Sequence, residues 1–166
     1  MPKFVATALT LYSYFLIEAS LPGLPSRIPT HFNLAGRPDR WGSPHTLWML
    51  LAMQVLLASI LLTIPTWGRR FPQAVHLGTR SLSDYTLEQR EFVMPLLRKM
   101  AGFMSVATSL FFVYLIRETI RAAEVTHFQS HQGLALGLFL GSMVGLPLYY
   151  VRRMNRVVGA RSAKPR

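Results

Sequence analysis

Four apolar blocks fix what this chain can fold into: Phe4–Leu21, Thr46–Trp67, Met100–Ile116 and Gly133–Tyr150. Each runs about 17 to 22 residues, against the roughly 20 that a helix needs to cross a hydrocarbon core about 30 Å thick. Apolar residues make up 51% of the 166. Their gathering into blocks, more than their total, argues for a bilayer over a soluble core. The second block is the best formed, with Ser43 placed as an N-cap, Pro44 at the first helical position, and Trp48 and Trp67 near its ends as interfacial aromatics. The first block follows Lys3 as a signal peptide would. Tyr12, Tyr14 and Glu18 disagree with a cleavable apolar region, so it reads as an uncleaved anchor. The expected fold is an all-α integral membrane protein, a single membrane domain with four transmembrane helices and a structured outer loop, residues 22–45, between helices 1 and 2. Residues 68–99 form a second loop and 151–166 a polybasic, mobile tail.

The formal charge of +11 raises nucleic acid as a partner, but the basic residues flank the apolar blocks and accompany no DNA- or RNA-reading module, which excludes that class. They sort instead by side. Of the 18 Lys and Arg, 13 fall at the first residues, in the 68–99 loop and in the tail, and the remaining five are Arg27, Arg37, Arg40, Arg117 and Arg121. Because basic residues near span ends stay cytoplasmic, this division predicts a multi-pass membrane protein with both termini on the cytoplasmic side. The basic residues of 68–99 read as topology determinants and headgroup contacts, not as a ligand site. That loop ends in a helical start at Thr86, where Thr86 and Gln89 have capping-box spacing, and Pro95 predicts a kink beyond it. Cysteine is absent, which removes disulfides, thiolate nucleophiles and Cys-ligated metals.

The outer loop contains the densest run of turn-forming and chemically versatile residues, Leu24 to Ser43. Its prolines interrupt any helix. Asn33–Gly36 predicts a reversal with Gly36 at positive φ, and Arg37-Pro38-Asp39 opens a second turn. Pro29, Phe32, Gly36 and Trp41 are read as shaping the loop, with Phe32 and Trp41 folded down onto the helix ends. His31, Asn33, Arg37, Asp39 and Arg40 are left as the polar groups for a ligand or partner.

Leu24-Pro25, Ile28-Pro29, His31-Phe32-Asn33, Gly36, Pro38-Asp39 and Trp41-Gly42-Ser43, directly after a first span, resemble the N-terminal domain of unknown function of SdpI-type bacterial membrane proteins. The resemblance covers about 20 residues and the span before them. It implies a multispanning bacterial membrane protein from a family that includes toxin-immunity and immunity-linked signalling proteins, and it implies no enzymatic activity. Two departures stand out: Pro44 follows Trp-Gly-Ser where a basic residue is expected, and 166 residues leave little room for the additional C-terminal spans of full SdpI-like proteins.

Other motifs carry weaker chemistry. His127 and His131 are four apart and, with His31 and Asp39, define the one arrangement that resembles a zinc site. No HExxH pattern accompanies them, and no metal or cofactor is expected. Gly133, Gly137, Gly141 and Gly145 lay a groove along the fourth helix, read as packing against another span, with a homodimer interface as the alternative. Gln54, the most polar residue well inside a span, calls for an interhelical hydrogen bond. Glu18, near the end of the first span, has Arg117 or Arg121 as a prospective partner. The function expected is recognition of a secreted peptide or a membrane-protein partner by the outer loop, without catalysis. An accessory subunit of a larger complex and a metal-dependent membrane enzyme are the competing classes.

Overall fold

The computed structural model describes residues 1–33, 35–78, 80–125 and 131–162, the side chains of 132 and 160–162 excepted. Helix α1 (Pro2–Ser20) ends in a single 3₁₀ turn and leads to an antiparallel hairpin of β1 (Ile28–Phe32) and β2 (Pro38–Gly42). Helix α2 (Thr46–Arg70) is succeeded by a smaller hairpin of β3 (His76–Leu77) and β4 (Arg80–Ser81), then by α3 (Leu87–Glu124) and α4 (Gln132–Ser162). Four helices are long and apolar enough to cross a membrane, the build of a multi-pass membrane protein. The all-α expectation is corrected: the chain is 78% helical, and two short hairpins occupy the connections from α1 to α2 and from α2 to α3.

The distribution of side chains is that of a protein solvated by lipid. Large apolar residues point outward, among them Phe4 (72% exposed), Met49 (71%) and Leu134 (68%), while Ser13, Gln54, Ser105, Thr108 and Ser109 are buried between helices. In water this arrangement would be inverted, because apolar surface is costly to hydrate and hydroxyls are not. The polar groups hold the helices together: Ser13 Oγ donates to Gln54 Oε1 at 2.8 Å, and Gln54 Nε2 donates to Thr10 Oγ1 at 3.4 Å. This is the interhelical bond that Gln54 called for. Glu18 is exposed without the expected partner, as Arg121 pairs with Glu118 at 3.2 Å instead.

Helix α3 is the central element, in contact with α1, α2 and α4. Its 38 residues extend about 57 Å, nearly twice the hydrocarbon thickness. Small residues let neighbours come close: a Cβ on Gly102 would lie 2.8 Å from Pro2 Cβ on α1. The capping box at the start of α3 is present, with Thr86 Oγ1 accepting from Gln89 N and Gln89 Oε1 accepting from Thr86 N. Pro95 lies within the helix, which continues across it.

Two buried clusters lie at opposite ends of the bundle. One gathers Ile17, Ile28, Leu47, Leu51, Ile116 and Ile120 beneath the β1–β2 hairpin. The other gathers Leu77, Leu82, Tyr85, Val93, Leu97 and Met154 with their neighbours, where α3 and α4 run past the ends of α1 and α2. The expected mobile tail is corrected here: α4 continues to Ser162 because Tyr150, Met154 and Val158, each four residues on from the last, carry one buried face into this second cluster. The 68–99 loop ends, as expected, in a helix that starts after Thr86. It is a short structured segment with two 3₁₀ turns and a hairpin, and its last part is already the opening of α3.

Candidate recognition hairpin

The β1–β2 hairpin is fixed to the bundle by its own first residues. Ile28 is fully buried between α1, α2 and α3, and Pro29 beside it is also fully buried. From there the chain turns outward, with Thr30 and His31 exposed and Phe32 half-buried. The strands pair Ile28 with Gly42, Pro29 with Trp41, His31 with Arg40 and Phe32 with Pro38, with irregularities on both sides of His31. A bulge re-aims the side chain it carries. His31 meets Asp39 through an Nδ1–Oδ1 contact of 2.5 Å, and the two side chains remain 57% and 41% exposed.

The reversal rests on Asn33. Its Oδ1 accepts from Ala35 N at 3.0 Å and from Arg37 N at 3.1 Å, its backbone amide donates to Arg37 O at 2.9 Å, and Gly36 N donates to Asn33 O at 2.9 Å. Gly36 has φ 74°, as the turn requires, in the region that a Cβ disfavours. At the base, Arg27 Nη2 donates to Trp41 O at 3.3 Å. Gly42 lets the strands close, since a Cβ there would lie 2.8 Å from Thr30 Cγ2. The chain then enters α2 through Ser43, whose Oγ accepts from His45 N at 3.3 Å and whose carbonyl accepts from Thr46 Oγ1 at 2.6 Å. Ser43 thus holds the turn before α2, and its expected N-cap role is corrected: the helix starts at Thr46 with His45 at the N-cap, so Pro44 precedes it.

The five residues read as recognition groups divide. His31, Arg37, Asp39 and Arg40 are brought together as an exposed polar surface, whereas the Asn33 amide oxygen is consumed by the turn and acts as a structural tie. The shaping group divides as well. Pro29 and Gly36 are buried, whereas Trp41 is 49% exposed. The anchoring role of Ile28 has no signature of its own in the sequence, although two short runs joined by a five-residue Asn…Gly reversal are a hairpin signal. Among the described residues, no three His, Asp or Glu side chains gather as a metal would require. His45 and His131 are exposed apart from the His31–Asp39 pair, and His127 lies outside the described residues, so the pairing of His127 with His131 does too.

The groove on α4 is corrected. A Cβ added at Gly133, Gly137, Gly141 or Gly145 would meet nothing within 4 Å, so the glycine face packs on no described part of its own chain. Helix α4 instead leans on α3 through larger groups, including Phe139, which stacks on Phe111 at 4.4 Å between ring centroids.

Residues 4–55 match the family described as a domain of unknown function, DUF1648, which is found at the N-terminus of some membrane proteins. The match covers α1, the hairpin and α2 as far as Val55, just past Gln54, and so takes in four of the six residues buried beneath the hairpin. Over 77 residues the chain is 39% identical to an uncharacterized protein of Archaeoglobus fulgidus. That stretch is 44% of this chain and spans 40% of the length of the relative. No solved structure matches the chain.

Proposed function

We propose that this is a non-enzymatic bacterial membrane protein whose β1–β2 hairpin recognises a secreted peptide or a partner membrane protein on the extracytoplasmic side. The observation that carries this reading is the hairpin's division of labour. Ile28 and Pro29 hold it in the bundle, while His31, Arg37, Asp39, Arg40 and Trp41 stand clear on its exposed part. An exposed Trp among Arg, His and Asp is the composition of a contact surface, as aromatic and guanidinium groups contribute most where partners meet. A role in immunity or sensing, as the resemblance to SdpI-type proteins suggests, is the narrower form of the same reading. The basic-residue division supports the outer placement of the hairpin.

Photo-crosslinking tests the recognition. A photoreactive residue in place of Arg40 should give a discrete adduct in native membranes, and the same residue in place of lipid-facing Met49 should not. The adduct should disappear in the His31→Ala/Asp39→Ala double variant; its persistence there would remove the hairpin's polar pair from the contact. Sidedness is read separately, with Ser26→Cys accessible to an impermeant thiol reagent in intact cells and Ser83→Cys protected.

A second reading is favoured by one observation, the open glycine face of α4. As an accessory subunit, the protein would pack that face on another membrane helix, where small residues allow backbones to approach closely. Gly141→Leu should then leave the thermal stability of the single chain within about 1 kcal/mol, the scale of its helix-propensity change, while shifting its assembly state in mild detergent. An unchanged assembly state would count against this reading.

A further inference from the structure

At the end of the bundle opposite the hairpin, α1, α2 and α3 line an open cavity of about 540 Å³. Four cations from three helices line it: Lys3 on α1, Arg69 on α2, and Arg98 and Lys99 on α3. No carboxylate is among the lining residues. Among the described residues the two ion pairs are His31–Asp39 and Glu118–Arg121, so neither neutralises this set. The four side chains are exposed, so solvent screens their mutual repulsion in part, but their convergence from three helices makes the site favourable to an anion. The size falls within the usual range for a small-molecule site.

The remaining walls identify the kind of anion. Leu62, Pro65 and Ala101 supply apolar surface, and they lie on the stretches of α2 and α3 that are apolar enough to cross a membrane. A ligand matching both parts is anionic at one end and apolar at the other. Arginine is suited to the phosphate, since its planar fork offers two parallel donors to two phosphate oxygens. We propose that this cavity binds the phosphodiester headgroup of an anionic glycerophospholipid. The basic residues of 68–99, read from the sequence as topology determinants and general headgroup contacts, thereby gain a defined site, because three helices bring four cations to one concave surface. The proposal is independent of the hairpin's partner.

Native mass spectrometry of the full chain, purified in neutral detergent, provides the test. Phosphatidylglycerol should be retained and phosphatidylcholine, which carries the same phosphodiester without net charge, should be retained far less. Arg69→Gln/Arg98→Gln should weaken phosphatidylglycerol retention about thirtyfold, the effect of removing two surface cations. Arg152→Gln/Arg153→Gln/Arg156→Gln on α4 serves as the off-site control and should change retention by less than about twofold, a few tenths of a kcal/mol. Equal retention of the two lipids, undiminished retention in the Arg69/Arg98 variant, or loss only in the α4 variant would each overturn the proposal. Displacement of the lipid by equimolar inorganic phosphate would assign the cavity to a soluble anion and also overturn it. A measurement on the unmodified protein removes dependence on variant folding: photoreactive phosphatidylglycerol should label the segments 62–69 and 98–102, and labelling confined to α4 would refute the site.

Discussion

The two ends of the bundle solve the same problem in opposite ways. At one end the chain leaves α1 at Leu24 and returns at Ser43 through a hairpin that buries Ile28 and Pro29 and leaves its polar residues outside. At the other, the segment between α2 and α3 turns inward. Leu77, Leu82 and Tyr85 are buried against Val93, Leu97 and Met154, and the Tyr85 hydroxyl donates to Asn155 Oδ1 at 3.1 Å. Arg90 also points back into the segment, donating from Nε to Tyr85 O and from Nη2 to Ser83 O, both at 2.9 Å. The first is a scaffold holding exposed chemistry, and the second is a small core built where two long helices outrun their neighbours. Polar, punctuated sequence is therefore a poor guide to which loop is structural. The number of apolar loop residues that find a buried partner is what separates the two.

The comparison breaks most decisively at the inward-turned end. Leu97→Ala removes a fully buried side chain from a ten-residue core and should cost about 2–5 kcal/mol in thermal unfolding in detergent. Ile28→Ala should cost a similar amount, but the loss should register first as protease access to the hairpin; a mild effect at Ile28 would mean that the hairpin stands without its anchor. Next is Gly36→Val. Its φ of 74° is strained for a β-branched residue by roughly 1–3 kcal/mol, and hydrogen exchange should show the opening confined to residues 28–42.

Tyr85→Phe gives a smaller effect with a distinctive pH dependence. Loss of the hydroxyl bond to Asn155 should cost about 1 kcal/mol. Burial raises the Tyr85 hydroxyl above its ordinary pKa of 10.0, with Arg80 opposing and Asp84 reinforcing the shift. The folded protein therefore holds this proton more tightly than the unfolded chain does, so its contribution is whole below pH 10 and stability falls as pH rises through the higher folded value. Tyr85→Phe should flatten that alkaline fall, and an unchanged alkaline slope would refute the assignment. The smallest effect on stability belongs to His31→Ala and Asp39→Ala. An exposed pair is worth about 0–1 kcal/mol, so these variants separate contact from fold: a loss comparable with that at Ile28 would make the pair a structural tie.

Much of the fold was legible because lipid imposes a length. Four blocks of the right extent lie within the four helices, and local chemistry located Ser43 before α2 and the Thr86–Gln89 box before α3. The hairpin was read as turns, because Pro29 and Pro38 mask a strand's composition and its pairing joins residues as far apart as Ile28 and Gly42. The end of α4 was hidden by charge. Arg152, Arg153 and Arg156 dominate a stretch in which only Met154 and Val158 reveal the buried face. At the site, His31 and Asp39 lie on the exposed part of the hairpin, whereas the roles of Asn33 and Trp41 depend on hydrogen bonds and strand register that composition does not encode.

The buried Gln54 amide, held by Ser13 and Thr10, has a consequence for the whole α1–hairpin–α2 unit. Two helices that meet only through apolar side chains can slip along each other at little cost in hydrocarbon, since every register offers similar contacts. Here any slip of α1 along α2 would break the 2.8 Å bond between Ser13 and the amide, and a buried amide left without its partner costs about 1–3 kcal/mol. The two helices are indexed like a key and its ward. The hairpin, tethered to both, inherits that index, so the spacing of its exposed groups is set some ten residues below them, in the interior of the membrane.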